Sequence, residues 1–258
     1  MSEGGCTNCG SKGGCDHRKT GMFAAIDAAL LALYPTRCFA ARHDPVDRLC
    51  DPALAPWTGD SSALASDIAQ QLGTLVVEMP PVAEEYCRQI YVLCLGRHPC
   101  LVEAREGMAQ PAREDLENGP LEELYLRVSI SDLVPFAAVQ QVRMRGELDG
   151  SELMIEEAPR TGVFDPVLLP RMQRIVAIIV DHGLRNLDFG EISAPPPDFD
   201  PGDYAQRFGG VPAVANYFFY PQPCSSVSTT VVPFGATGDA VSDRLPMTIA
   251  IGKPAVVI

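Results

Sequence analysis

The sequence lacks the motifs that identify the commonest enzyme and membrane-protein classes. It has no G-x-x-x-x-G-K-[ST] phosphate loop, no H-E-x-x-H metal motif, no G-x-S-x-G nucleophile motif and no Rossmann glycine run after a predicted strand. Its apolar runs, such as residues 175–180, are far shorter than the ~20 residues that span a bilayer. We therefore expect no membrane span, and no motif identifies a stand-alone enzyme.

An excess of basic charge is also missing. The chain has 20 Lys and Arg against 33 Asp and Glu, a formal net charge of −13, which argues against nucleic acid or an anionic membrane as the main partner. The chain starts with a polar, glycine-rich run in place of the basic and apolar regions of a secretory leader. We expect a cytoplasmic protein, in which the nine cysteines stay reduced and act as ligands or core residues.

Composition favours a loop-rich globular fold. Hydrophobic residues make up 47% of the 258 positions, and there are 23 prolines and 22 glycines. The pattern predicts an α+β fold with an antiparallel sheet and hairpins packed with two or three helices, preceded by a Gly/Cys-rich metal-binding N-terminal segment. The predicted division is a Cys-rich segment over 1–19 and a single α+β domain over 20–258, with a sub-boundary near 104–120 as an option.

Individual elements follow from periodicity and turn signals. Helices are predicted over 21–34, 61–71 and 166–182. Strands are predicted over 74–79, 100–103 and 125–130, and over 86–95 with a helix over 84–95 as the alternative. A hairpin joins 139–148 to 151–157 through Asp149-Gly150. Residues 190–212 read as a long loop or lid, and 217–220, 226–232 and 247–258 as strands.

The first nineteen residues carry the strongest functional signal. Cys6, Cys9 and Cys15 form a C-x2-C-x5-C pattern among five glycines, and His17 follows two places later. Glycine lets a backbone wrap tightly around a centre at φ values that other residues resist. Because no apolar pattern explains this segment, its thiols predict a metal centre.

Basic residues in the same segment support thiolate ligands. Lys12, Arg18 and Lys19 outweigh Glu3 and Asp16, so the segment has a net charge of +1 on an acidic protein. Nearby cations lower thiol pKa values and offset the charge of a thiolate-ligated cluster. We expect these three basic residues to border the bound cofactor and tune its potential.

A thiolate-ligated cluster needs a fourth ligand from elsewhere in the chain. Cys224, in a loop-like Pro-Cys-Ser-Ser stretch, is the first candidate, followed by Cys38 and then His17. The predicted cofactor is an iron–sulfur cluster, with 4Fe-4S favoured. The predicted function is electron transfer, or an accessory or maturation role beside a larger redox enzyme or subunit.

Other interpretations of the sequence stay open. Cys6, Cys9, Cys15 and His17 also form a self-contained Cys₃His zinc set, which predicts an interaction or assembly module without redox activity. The remaining alternatives are a tail with incidental cysteines, and an enzyme whose pocket lies under the 190–212 loop with the metal merely structural. The remaining thiols at 87 and 94 lie among apolar residues and are expected to fill the core.

Overall fold

The computed structural model describes residues 24–34, 37, 56–79, 87–96, 100–160, 164–196, 198–202, 210–219, 227–234 and 249–251. Within them the chain is a mixed α/β fold, a mainly antiparallel eight-stranded sheet with helices on both faces. This confirms the predicted antiparallel sheet packed with helices, although the described residues contain seven helices where two or three were predicted. The Cys-rich N-terminal segment lies outside the described residues.

The elements are short apart from the central strands. The helices are α1 (Ala24–Leu33), α2 (Ser61–Leu72), α3 (Cys100–Arg105), α4 (Arg113–Glu117), α5 (Leu169–Asp181), α6 (Phe189–Ser193) and α7 (Val214–Phe218). The strands are β1 (Leu75–Glu78), β2 (Cys87–Leu95), β3 (Leu121–Ser131), β4 (Phe136–Asp149), β5 (Glu152–Pro159), β6 (Arg185–Leu187), β7 (Ser228–Pro233) and β8 (Ile249–Ile251). No helix in these ranges is both long and apolar enough to cross a membrane.

The sheet is organised around β4, which has fourteen residues. The strand order is β7-β5-β4-β3-β2-β1-β8, and β6 pairs with β4 in parallel. On one edge of β4, the pairing with β5 ends where Val142 lies opposite Pro159. On the same edge, the pairing with β6 ends where Ala138 lies opposite Leu187. The long strand therefore carries two partners on the same edge, with a short gap between them.

The back face of the sheet is covered by α2 and α5. Even positions of β2 and β3, such as Val92 and Val128, meet Leu64, Ile68 and Ile175 in what we call the back core. Side chains alternate across a strand and recur every three to four residues along a helix, so both periodicities deliver apolar groups to this layer. Burial of this surface stabilises the fold by about 25 cal/mol per Å².

The front face carries two separate apolar clusters. The α1 core joins α1, α6 and α7 to the sheet, with Ile26, Leu30 and Phe218 fully buried. The α3 core lies towards the other end of the same face and joins α3 and α4 to Tyr125 and Met144. Between these two cores the strands present polar side chains, which are described below.

Two predicted strands are helices. Residues 100–103 begin α3, because Glu123 on β3 accepts hydrogen bonds from the first two backbone N–H groups. Residues 217 and 218 lie in α7, whose residues all pack into the α1 core or beside it. In both places tertiary contacts override a strand-like local sequence. The 190–212 stretch is also not purely a loop, since α6 occupies its start.

The predicted hairpin is present, but its register is different. The pattern placed Met144 opposite Ile155, whereas Met144 pairs with Glu157 and Arg143 with Ala158. The turn residues are Gly150 and Ser151, with Gly150 at φ +62°. Glycine at the first turn position allows this positive φ, so the turn begins one residue later than the Asp149-Gly150 pattern predicts.

The end of α2 gives a test of backbone conformation. Gly73 follows α2 and has a φ of +59°, whereas the φ of Gly210 is not positive. A Cβ added to either glycine would meet no atom within 4 Å. We expect Gly73→Ala to lower the free energy of unfolding by roughly 1 kcal/mol, because Gly73, unlike Gly210, has a left-handed conformation. Gly210→Ala is the matched control and should leave stability unchanged or slightly higher. Equal losses in urea denaturation would contradict this explanation.

Candidate functional site

The sequence-predicted ligand set lies outside the described residues. This applies to every cysteine and histidine assigned to the metal centre and to the basic residues beside it, namely Cys6, Cys9, Lys12, Cys15, His17, Arg18, Lys19, Cys38 and Cys224. Within the described part of the chain there is no group of three or more His, Cys, Asp or Glu side chains able to hold a metal ion. The metal centre therefore stays a prediction.

The three described cysteines are reduced thiols, and burial opposes the ionisation of two of them. Cys87 is 1% exposed in the α1 core, which confirms its predicted role as a core residue. Burial raises the pKa of Cys94, which packs against the back core. Burial and the carboxylates of Glu123 and Glu103 raise the pKa of Cys100 to about 11. Cys94 and Cys100 therefore remain protonated near neutral pH and are poor nucleophiles.

A buried polar cluster separates the two cores of the front face. Its members lie on β2, β3, β4, β5 and α3, and we call them the central polar cluster: Gln89, Tyr91, Arg105, Arg127, Gln140 and Glu157. The strand residues share one face because of the alternation of side chains along each strand, and Tyr91 and Gln140 lie opposite Arg127 in their two strand pairs.

Glu157 is the centre of this cluster. Its side chain accepts a hydrogen bond from Arg127 Nη1 at 2.6 Å and another from Arg105 Nη1. Arg127 Nη2 donates to Gln140 Oε1 at 2.6 Å, and the Arg105 guanidinium lies 5.2 Å from the Tyr91 ring centroid. Glu157 is 4% exposed and Arg127 7%, so this pair is almost entirely removed from water.

The Tyr91 hydroxyl completes the cluster. It lies 3.0 Å from Gln89 Oε1 and 3.3 Å from Glu157 Oε1, so its single proton has two acceptors within reach. Burial raises the pKa of Tyr91, and the Glu157 carboxylate raises it further, although both arginines lower it. Tyr91 is therefore a neutral hydrogen-bond donor. Glu106 also pairs with Arg105 Nε at 3.0 Å, so the two arginines meet two carboxylates.

Sequence reasoning missed this cluster. The available signal was a charged residue at a core-facing strand position, two places from a buried apolar residue. Arg127 follows Tyr125 in this way on β3, and Glu157 follows Ile155 on β5. Because burial of a charge is costly unless it is paired, two opposite charges at such positions indicate contact in the fold.

The gap between β5 and β6 forms a shallow depression of about 200 Å³. Its lining consists of Val139, Gln140, Gln141, Arg160, Phe164 and Phe189. This volume includes open solvent, and the depression encloses essentially no space for a water-sized molecule, so it does not resemble the ~300 Å³ cavities of typical small-molecule sites. It connects the edge of β4 with the central polar cluster through Gln140, whose side-chain oxygen is bonded to Arg127.

On the back face, a histidine joins the two helices. His182, at the C-terminal end of α5, places Nε2 2.7 Å from Asp67 Oδ2 on α2. The Trp57 indole N–H donates to the His182 carbonyl oxygen at 2.9 Å. These contacts explain His182 as a structural residue, in agreement with its predicted position at a helix end. The histidines at 43 and 98 lie outside the described residues.

The chain was compared with protein-family models, with curated proteins and with solved structures. None of the three comparisons gave a match. The functional argument therefore depends on the residues of this chain alone.

The central polar cluster predicts a large difference between buried and exposed glutamates. Glu157→Gln should lower the free energy of unfolding by about 3–5 kcal/mol, because Arg127 would keep its charge without a buried counter-ion and Arg105 would keep only its partner Glu106. The matched control is Glu147→Gln, which breaks an exposed ion pair with Arg145 and should cost less than about 1 kcal/mol.

Chemical denaturation of both variants measures these differences. A loss below about 1 kcal/mol for Glu157→Gln, at unchanged denaturant dependence, would show that water reaches the two arginines and that the cluster is not sealed.

Proposed function

We propose that this is an iron–sulfur protein, acting in electron transfer or as an accessory or maturation subunit of a larger redox enzyme. The observation that carries the proposal is the C-x2-C-x5-C segment formed by Cys6, Cys9 and Cys15, with its glycines and net positive charge. Thiolates, small residues and backbone N–H groups are the surroundings that such clusters require. The bound cluster would supply one-electron chemistry, and the cysteine side chains of this chain would hold it.

The connection of the N-terminal segment to the body supports this proposal. Only residues 20–23 separate the segment from α1, whose Ile26, Leu30 and Leu33 are buried in the α1 core. The segment is therefore attached to the folded body through a docked helix. A cluster at this position would lie beside the body and not at the end of a long linker.

Chain lengths also support a shared site for the two candidate fourth ligands. The Tyr34 hydroxyl donates to the Tyr217 carbonyl oxygen at 3.0 Å, so these two residues are in contact within the α1 core. Cys38 follows Tyr34 by four residues and Cys224 follows Tyr217 by seven. At about 3.5 Å per residue, the two thiols are restricted to within about 14 and 25 Å of these anchors. Chain length therefore allows either thiol to reach the helix that carries the Cys-rich segment.

The chain next to Cys38 is firmly held. The Arg37 carbonyl oxygen accepts a hydrogen bond from the Asp200 N–H at 2.7 Å, and the Arg37 guanidinium lies over the Phe199 ring. Arg37 has a φ of +52° and Asp198 a φ of +58°, both unusual for these residue types. Such conformations persist only where surrounding contacts maintain them. This junction restricts where the following cysteine can lie.

Anaerobic purification followed by iron, acid-labile sulfide and EPR measurements tests the proposal. We expect iron and sulfide in roughly equal amounts and a broad absorption of thiolate-ligated iron near ~400 nm. Ser substitution of Cys6, Cys9 or Cys15 should each remove most of the bound iron. Cys94→Ser is the matched control, because Cys94 packs against the back core and bonds to the Val92 carbonyl, and its iron content should equal that of the wild type.

Iron content of further variants distinguishes the candidate fourth ligands, and the behaviour of the bound cluster distinguishes electron transfer from maturation. Loss of iron in Cys224→Ser or in Cys38→Ser, but not in both, would identify the fourth ligand. Reversible reduction and reoxidation of a retained cluster would favour electron transfer, whereas release of the cluster to an apo-ferredoxin would favour maturation. Protein that contains no iron after anaerobic purification would contradict the proposal.

Zinc is the second candidate, and His17 is the observation that favours it. With Cys6, Cys9 and Cys15 it completes a Cys₃His set without any other part of the chain. In that case the protein would contain stoichiometric zinc without sulfide, and His17→Asn would release the metal. A four-cysteine iron–sulfur site would retain its iron in His17→Asn.

A further inference from the structure

One buried carboxyl group holds the first turn of α3 on the sheet. Glu123 on β3 is 2% exposed and accepts hydrogen bonds from the backbone N–H groups of Cys100 and Leu101, each at 3.0 Å. The Tyr125 hydroxyl donates to the same carboxylate. The first N–H groups of a helix lack partners within it. A side chain from a neighbouring strand therefore caps α3.

The surroundings of Glu123 are unfavourable for a negative charge. It forms no ion pair with a basic side chain of the described residues, and Glu103, only 3% exposed, lies close enough to repel it. On β4 its partner is the apolar Met144. The titratable groups that act in this cluster from β3, α3 and α4 are Tyr125, Cys100, Glu103 and Asp115.

The balance of these effects shifts the ionisation equilibrium of Glu123 towards the neutral carboxyl group. Burial is the largest effect and raises the pKa of Glu123 to about 7, while the hydrogen bonds from Tyr125, Leu101 and Cys100 lower it and Glu103 raises it. When α3 separates from the sheet, water reaches this group and its pKa returns towards the ordinary value of 4.5. The docked state therefore binds the proton more tightly than the open state, so that protonation stabilises docking.

We propose that Glu123 makes α3 a pH-dependent latch, which is docked most firmly when this carboxyl group is protonated and which loosens as the group ionises. The additional opening develops as the pH rises from about 4.5 to about 7 and is complete above that range. The difference between the pKa values of Glu123 in the open and docked states corresponds to an increase of about a hundredfold or more in the equilibrium constant for opening of α3.

Opening of the latch affects both the α3 core and the central polar cluster. Leu101 and Val102 of α3 are fully buried in the α3 core and would become exposed. Arg105, the last residue of α3, donates to Glu157 and would separate from this carboxylate. The latch thus connects the ionisation of one carboxyl group with access to an apolar surface and to a buried arginine–glutamate pair.

Amide hydrogen exchange resolved by residue tests this proposal on the full-length protein. The amides of Cys100 and Leu101, together with Met108, whose N–H bonds to the Glu103 carbonyl, report on α3. Their protection, the ratio of intrinsic to observed exchange rate, should fall about a hundredfold between pH 5 and pH 8. Amides of β3 between Leu126 and Ile130 should keep constant protection, because they report on the sheet.

Two variants and one matched control connect the effect to Glu123. Glu123→Gln cannot ionise, so the protection of α3 should become independent of pH. Glu122→Gln, at the exposed neighbouring position on the same strand, should behave like the wild type. Tyr125→Phe removes a donor that favours the carboxylate, so the fall in protection should shift to higher pH, which provides a second test if Glu123→Gln does not fold.

Three outcomes would overturn the proposal. The first is a wild-type protection of α3 that does not change with pH. The second is a parallel loss in β3, which would indicate global unfolding. The third concerns Arg97 and His98, which precede α3 and lie outside the described residues: if His98→Asn abolishes the pH dependence while Glu123→Gln retains it, the titrating group is His98.

Discussion

The front of the sheet depends on the burial of one carboxylate between two arginines. Glu157, bonded to Arg127 on the sheet and to Arg105 on α3, lies where the α1 core ends and the α3 core begins. Neither core can extend across this region, because a charged pair needs its full set of hydrogen bonds once water is removed. Two apolar clusters with a polar layer between them are the consequence.

The short helix α3 is held at both ends by buried carboxylates. Glu123 accepts its first two N–H groups and Glu157 binds the guanidinium of its last residue. A six-residue helix has little intrinsic stability, so these contacts and the burial of Leu101 keep it helical. In the proposed latch, Glu123 links the position of α3 to ionisation, whereas α1 is anchored by apolar packing and is connected to the Cys-rich segment.

Local patterns were informative where one physical requirement dominated. Asp60 and Gly73 mark the ends of α2, and alternation together with β-branched residues marks β3 and β4, because capping, left-handed conformation and strand pairing each leave a trace in adjacent residues. The predictions failed at residues 100–103 and 217–218, where partners far away in the chain provide the stabilisation. The hairpin register failed for a local reason, the preference of Gly150 for the first turn position.

The sequence by itself determined the mixture of helices and an antiparallel sheet, because both elements follow from the spacing of apolar residues along the chain. It also predicts a metal in the Cys-rich segment, because the spacing of the cysteines is local. Only the tertiary structure decided that Glu157 meets two arginines and that Glu123 caps a helix formed about twenty residues earlier. These contacts depend on strand order and on the face to which each side chain points. Residue spacing does not encode such information, because pairing between strands is set by the whole set of competing contacts.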